Sequence, residues 1–167
     1  FCTEHLLLLV GANPLPNYVA ARLLTKPEST IHLLHTAATG NVAKALRSVI
    51  LHELPDVTIE FWETDAADST KIRSEVNKIT DTIPRTESVG LNYTGGTKTM
   101  AVHAYRALEK TNPQVIFSYL DAQSLIMSFD GHGGEQSHAI YVGATCHVTL
   151  NDLAQLHGFT GFKQDPL

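Results

Sequence analysis

The residues best equipped for chemistry stand together at Asn92-Tyr93-Thr94-Gly95-Gly96-Thr97-Lys98-Thr99-Met100. Two adjacent glycines let the backbone turn tightly and come close to a ligand. The hydroxyls of Thr94, Thr97 and Thr99 and the ammonium of Lys98 gather at the same end. Met100, Ala101, Ala104, Tyr105 and Leu108 recur at helical spacing up to Lys110, so a helix begins near Thr97. Its first turn offers unpaired N–H groups and the positive end of the dipole. That combination suits phosphate. An ordinary tight turn with Lys98 in solvent would use the same residues. The stretch is not a Walker A loop, because Gly96 stands where lysine would follow Gly95. No G-x-G-x-x-G occurs either.

The elements that must position this stretch follow from apolar periodicity. Ser88-Val89-Gly90-Leu91 reads as a buried parallel strand leading into it, and Leu6–Val10 as a first, central strand apolar on both faces. Gly11-Ala12-Asn13-Pro14-Leu15-Pro16-Asn17-Tyr18 follows, with Asn13 a turn or cap residue. A short helix through Val19, Ala20, Leu23 and Leu24 stops before Pro27. Ile31–His35 is the second strand, and the Thr36–Asn41 loop leads to a helix ending near Leu54. Val57–Trp62 alternates and belongs near an edge.

Asp65, Asp68 and Ser69 are candidate caps for the next helix, a better account of the two aspartates than a metal pair. Val115–Leu120 is the fifth strand. Leu125–Phe129, a flexible tip at Asp130–Gly134 and an apolar run from Val142 to Leu150 read as a β-ribbon. Asn151 would cap a closing segment to His157 that Gly158 stops. The fold class is α/β: a Rossmann-like, doubly wound, mainly parallel sheet with a C-terminal β-ribbon and a short closing helix. In the strand order 3-2-1-4-5 the reversal falls between the first and fourth strands, and ligands bind beyond the carboxyl ends there. The loops at that crevice are Gly11–Tyr18 and Tyr93–Lys98, with Thr36–Thr39 at its side.

Composition narrows the function. With 167 residues the chain holds one well-buried domain. A net charge of −5 argues against a broad basic face for long nucleic acid but permits a small anion held by amides and a lysine or two. No apolar run is long enough to span a membrane, and Cys2 and Cys146 form no C-x-x-C, which fits a cytoplasmic protein without a cysteine metal site. The 9 histidines show neither H-x-x-x-H nor H-E-x-x-H, so no metal and no cofactor is expected.

Asn-Tyr-Thr-Gly-Gly-Thr-Lys-x-Met resembles a segment of the CARF domain, the CRISPR-associated Rossmann-fold sensor. Gly-x-Asn-Pro-Leu-Pro-Asn-Tyr, at 11–18, resembles the same family at the matching place in its chain. The resemblance implies a homodimer whose paired crevices bind a cyclic oligoadenylate. Rings of four or six adenylates contain the twofold axis such a dimer needs, and four is favoured by family analogy. It implies that Lys98 and the amides of Gly95, Gly96 and Thr97 hold phosphates, with Asn13, Asn17 and the Thr36–Thr39 loop toward ribose or adenine edges. Gly11, Ala12, Pro14, Leu15, Thr36, Ala37, Thr39, Thr94 and Met100 complete the expected ligand set.

Residues 1–150 would form the sensor, and 151–167 a connector toward an effector domain. One alternative within the family is a metal-independent ring nuclease, with Lys98 and Asn13 catalytic and any cleavage slow for want of a base. Another, from a different class, is a Rossmann-type mononucleotide-binding enzyme.

Overall fold

Four leucines at the centre set the architecture. The computed structural model describes residues 1–130 and 137–159. Its first strand, β1 (Thr3–Leu9), buries Leu6 and Leu8 against one hydrophobic cluster and Leu7 and Leu9 against a second. A strand apolar on both sides must sit mid-sheet with helices on each face. Helices α1 (Leu15–Leu24), α2 (Gly40–Glu53) and the short α5 (Leu150–Leu156) serve the first cluster, and α3 (Ser69–Thr82) and α4 (Lys98–Thr111) the second.

The remaining strands are β2 (Thr25–Thr36), β3 (Thr58–Thr64), β4 (Val89–Asn92), β5 (Ile116–Asp121), β6 (Ile126–Phe129) and β7 (His138–Tyr141). Their order is β3-β2-β1-β4-β5-β6-β7, parallel through β5 and antiparallel beyond it. The doubly wound sheet with a reversal between β1 and β4 is therefore present, and β3 lies at the edge. Among the described residues no helix is long and apolar enough to cross a membrane.

Three local expectations need correction. Strand β2 starts at Thr25, not near Ile31: Thr3 pairs with Thr25 and His5 with Thr30, so a bulge holding Pro27 and Glu28 (φ 61°) interrupts the ladder. The ribbon's return strand is His138–Tyr141, whose residues are all exposed and so carry no burial pattern. The 142–150 run instead folds back over the core, with the Val142 amide donating to the Leu125 carbonyl at 2.8 Å. Finally, Thr149 caps α5 rather than Asn151, because Thr149 and Asp152 form a reciprocal capping box. Asp68 caps α3 as expected, accepting from the amides of Thr70 and Lys71. The ribbon tip at 131–134 lies outside the described residues.

On the sheet face that carries α3 and α4, the buried His32 anchors a directed chain of polar groups. The Trp62 indole N–H donates to His32 Nδ1 at 3.2 Å. His32 Nε2–H can then donate to His5 Nδ1 at 3.0 Å, leaving His5 Nε2–H for the Glu87 carboxylate at 2.6 Å. Burial, then the neighbouring His5, pulls the His32 pKa down to about 4. Glu60 also reaches Nδ1, at 3.2 Å, but is 45% exposed and screened by water.

A depressed histidine pKa means that the unfolded chain takes up the proton first. Stability is complete above about pH 6.5 and is lost as the pH falls toward 4. Urea unfolding at pH 5 should give about 2 kcal/mol less stability than at pH 7.5 from this group alone. His32→Gln should flatten the loss, and an unchanged pH dependence in that variant would place the acid sensitivity elsewhere.

Candidate functional site

β1 and β4 are neighbours, with Leu8 opposite Asn92, so the loops leaving them emerge side by side. They touch through glycine. A Cβ on Gly11 would stand 2.9 Å from the Gly96 nitrogen, and one on Gly95 would stand 2.1 Å from the Leu9 carbonyl oxygen. Gly96 has φ +72°, the left-handed region that glycine adopts without penalty. The glycines are thus required by the crossing of two backbones.

The same crossing exposes a row of donors. Thr97 caps α4, its hydroxyl accepting from the Met100 amide at 3.2 Å. Among the described residues, none supplies an acceptor to the amides of Gly95, Gly96, Thr97, Lys98 or Thr99. Free N–H groups at a helix N-terminus favour an anion. Lys98 is exposed beside them and has no carboxylate partner among the described residues.

The supporting layer lies beneath. Asn92 is fully buried, donating to the Ser118 hydroxyl at 3.1 Å and accepting from the Thr94 amide at 3.3 Å. The Thr94 hydroxyl accepts from the Leu120 amide at 2.7 Å, so it ties the loop to β5. The Tyr93 hydroxyl donates to the Asp130 carboxylate at 3.2 Å. Burial, with Asp130 beside it, pushes the Tyr93 phenol up, and the same causes hold Tyr105 up to about 12. Both phenols stay protonated and keep donating. Nothing local in the sequence pairs Tyr93 with Asp130, since β5 and β6 separate them.

Of the other expected ligand residues, Ala12 and Asn13 are exposed and Gly11 and Leu15 are half-buried. Asn13 Oδ1 accepts from the Leu15 amide at 3.1 Å. Pro14 is buried. Thr36 and Thr39 bond each other across a short 3-10 turn, with Ala37 exposed between them.

Two of the expected ligand residues lie deeper than the loop surface. Asn17 is 0% exposed and packs against Gly95, its Nδ2 donating to the Leu9 carbonyl at 2.9 Å. Met100 is likewise fully buried, its thioether beneath Gly96. Both support the loop from below. Among the described residues no group of three or more His, Cys, Asp or Glu side chains converges as a metal site requires.

A family model, the Card1 CARF domain, matches residues 6–142. The chain belongs to the CARF family. No curated protein sequence matches this CARF domain. Among solved structures it is similar to Can2 from Sulfobacillus thermosulfidooxidans in complex with cyclic tetra-adenylate, with a TM-score of 0.66 and 21% identity over 80% of this chain and 36% of that one. It is also similar to a type III CRISPR defence DNA nuclease activated by cyclic oligoadenylate (TM-score 0.67, 21% identity, 91% of this chain, 23% of that one). A third is Enterococcus italicus Csm6 bound to cyclic hexa-2′-fluoro-hexa-dAMP (TM-score 0.58, 13% identity, 73% and 34%). At these identities the likeness establishes the fold. The CARF domain spans roughly a third or less of each of these proteins.

Proposed function

We propose that this CARF domain senses a cyclic oligoadenylate in type III CRISPR defence, binding the ring between the crevices of two copies. The observation that carries the reading is the row of free amides from Gly95 to Thr99 with Lys98 beside it, at the reversal of a CARF sheet. A twofold dimer presents that row twice, matching two phosphates on opposite sides of an even-membered ring. Cyclic tetra-adenylate is the favoured size, because Can2, the complex with that ring, is closer in identity and TM-score than the hexa-adenylate complex.

The segment from 151 onward is the connector toward an effector. Leu156 of α5 packs into the cluster under α2, and Arg22 near the end of α1 donates to the His147 carbonyl at 2.7 Å. Helix α1 therefore links the crevice loop to the chain entering α5, which supports a path from ligand to effector.

Calorimetry with cyclic tetra-adenylate, cyclic hexa-adenylate and ATP tests the reading. The expected result is tight binding of the tetramer at one ring per two chains, with a dimer by light scattering before ligand is added. ATP binding to a monomer, one per chain, would overturn it in favour of a mononucleotide enzyme. Linear products with 2′,3′-cyclic phosphate ends, formed in EDTA, would add ring opening by the exposed Lys98 and Asn13.

A further inference from the structure

We propose that the groove between α2 and β3 is a second binding site, for a phosphate monoester carried on a sugar. The groove has a volume of about 830 Å³ and meets the Thr36–Thr39 turn only at its Ala37 end. That size lies within the usual range for small-molecule sites, and the proposal is independent of what the crevice binds.

Its outer wall is basic. Lys44 and Arg47 stand one turn apart on α2, both exposed, and neither has a carboxylate partner among the described residues. The Arg47 guanidinium lies 5.8 Å from the centre of the Phe61 ring. An arginine held against an aromatic ring keeps its N–H edge free to form a two-pronged contact with phosphate. Ser48, adjacent on the helix, adds a hydroxyl.

The inner end is built to accept hydrogen bonds. His35 is only 9% exposed, and its Nδ1–H donates to the Thr36 carbonyl at 3.0 Å. In the neutral ring this leaves Nε2 as a bare acceptor. Glu63, directly opposite His35 in the β2–β3 ladder, contributes a carboxylate to the same lining. A bare phosphate would be repelled by Glu63 and would leave Nε2 unused. A sugar phosphate resolves both conflicts, with its charge on Arg47 and Lys44 and its hydroxyls donating to Glu63 and His35. Nucleotides and free sugar phosphates share that chemistry.

Amide chemical-shift titrations with ribose 5-phosphate, AMP and inorganic phosphate decide it. Both organic ligands should shift residues 41–48 and 61–63, with inorganic phosphate at least about tenfold weaker. Tighter binding of AMP than of ribose 5-phosphate would identify a nucleotide, and equal binding a sugar phosphate. Arg47→Ala should weaken the organic ligands about tenfold, and Arg47→Lys nearly as much, because the planar fork is lost. Arg47 is exposed, so the unfolding midpoint of either variant should stay put. Equal affinity for inorganic phosphate, shifts confined to residues 95–99, or no shift at millimolar ligand would each overturn the proposal.

Discussion

Gly95→Ala is expected to lower the stability of this CARF domain by about 3 kcal/mol and its unfolding midpoint by about 10 °C. The new methyl would stand 2.1 Å from the Leu9 carbonyl oxygen and 3.0 Å from Asn17 Oδ1. No atom in that set is the far end of a flexible chain. Leu9 is the last residue of the central strand, and Asn17 is fixed by its own bond to the same carbonyl. Relief therefore requires the whole Gly95–Thr97 turn to lift off β1, which also displaces the free amides. Binding of cyclic tetra-adenylate should be lost together with the stability. Gly96→Ala is the control of a different kind: its cost is about 1–2 kcal/mol from the left-handed φ, plus a contact with the Leu9 side chain at 2.9 Å. Thermal unfolding of the two variants side by side checks the order, and an unperturbed Gly95→Ala would mean that the two loops do not cross as described.

How much of this was legible depended on whether neighbours in space were also neighbours in sequence. Leu6 to Leu9 announced a central strand because each residue is buried on one face or the other. The reversal between β1 and β4 followed from the alternation of strands and helices alone. The loops that meet at Gly11 and Gly96 could be singled out because glycine marks tight backbone wherever it stands. Depth could not be read in the same way. Asn17 looks like any polar loop residue, yet it falls within the first turn of α1 on the side facing the core, where its amide closes the end of β1. Met100 shares a motif with Lys98 but, two residues on around the helix, points into the core. The α2–β3 groove was invisible because His35, Arg47, Phe61 and Glu63 come from three elements and no short pattern contains them. Strand β7 was misplaced because a strand exposed on both faces has no apolar rhythm.

Lys98→Ala should leave the fold intact and remove most of the affinity for cyclic tetra-adenylate. Lys98 is exposed, makes no ion pair among the described residues, and only opens α4, where alanine is an excellent helix former. Its stability cost should therefore be within about 0.5 kcal/mol. A charge-assisted contact to phosphate contributes about 1.5–3 kcal/mol, and in the proposed dimer a ring on the twofold axis would meet the lysine of each copy, so the expected loss is about 3–6 kcal/mol. That corresponds to at least about a hundredfold weaker binding. The amides of Gly95 to Thr99 remain in the variant, so some affinity should persist and should depend less steeply on salt than in the wild type. Lys98→Arg keeps the charge and should recover part of the binding, which a merely structural role for the residue would not require. Calorimetric titration at two ionic strengths measures each of these quantities. If Lys98→Ala binds within a few-fold of wild type, the lysine lies outside the site and the amides alone must be asked to hold the ring.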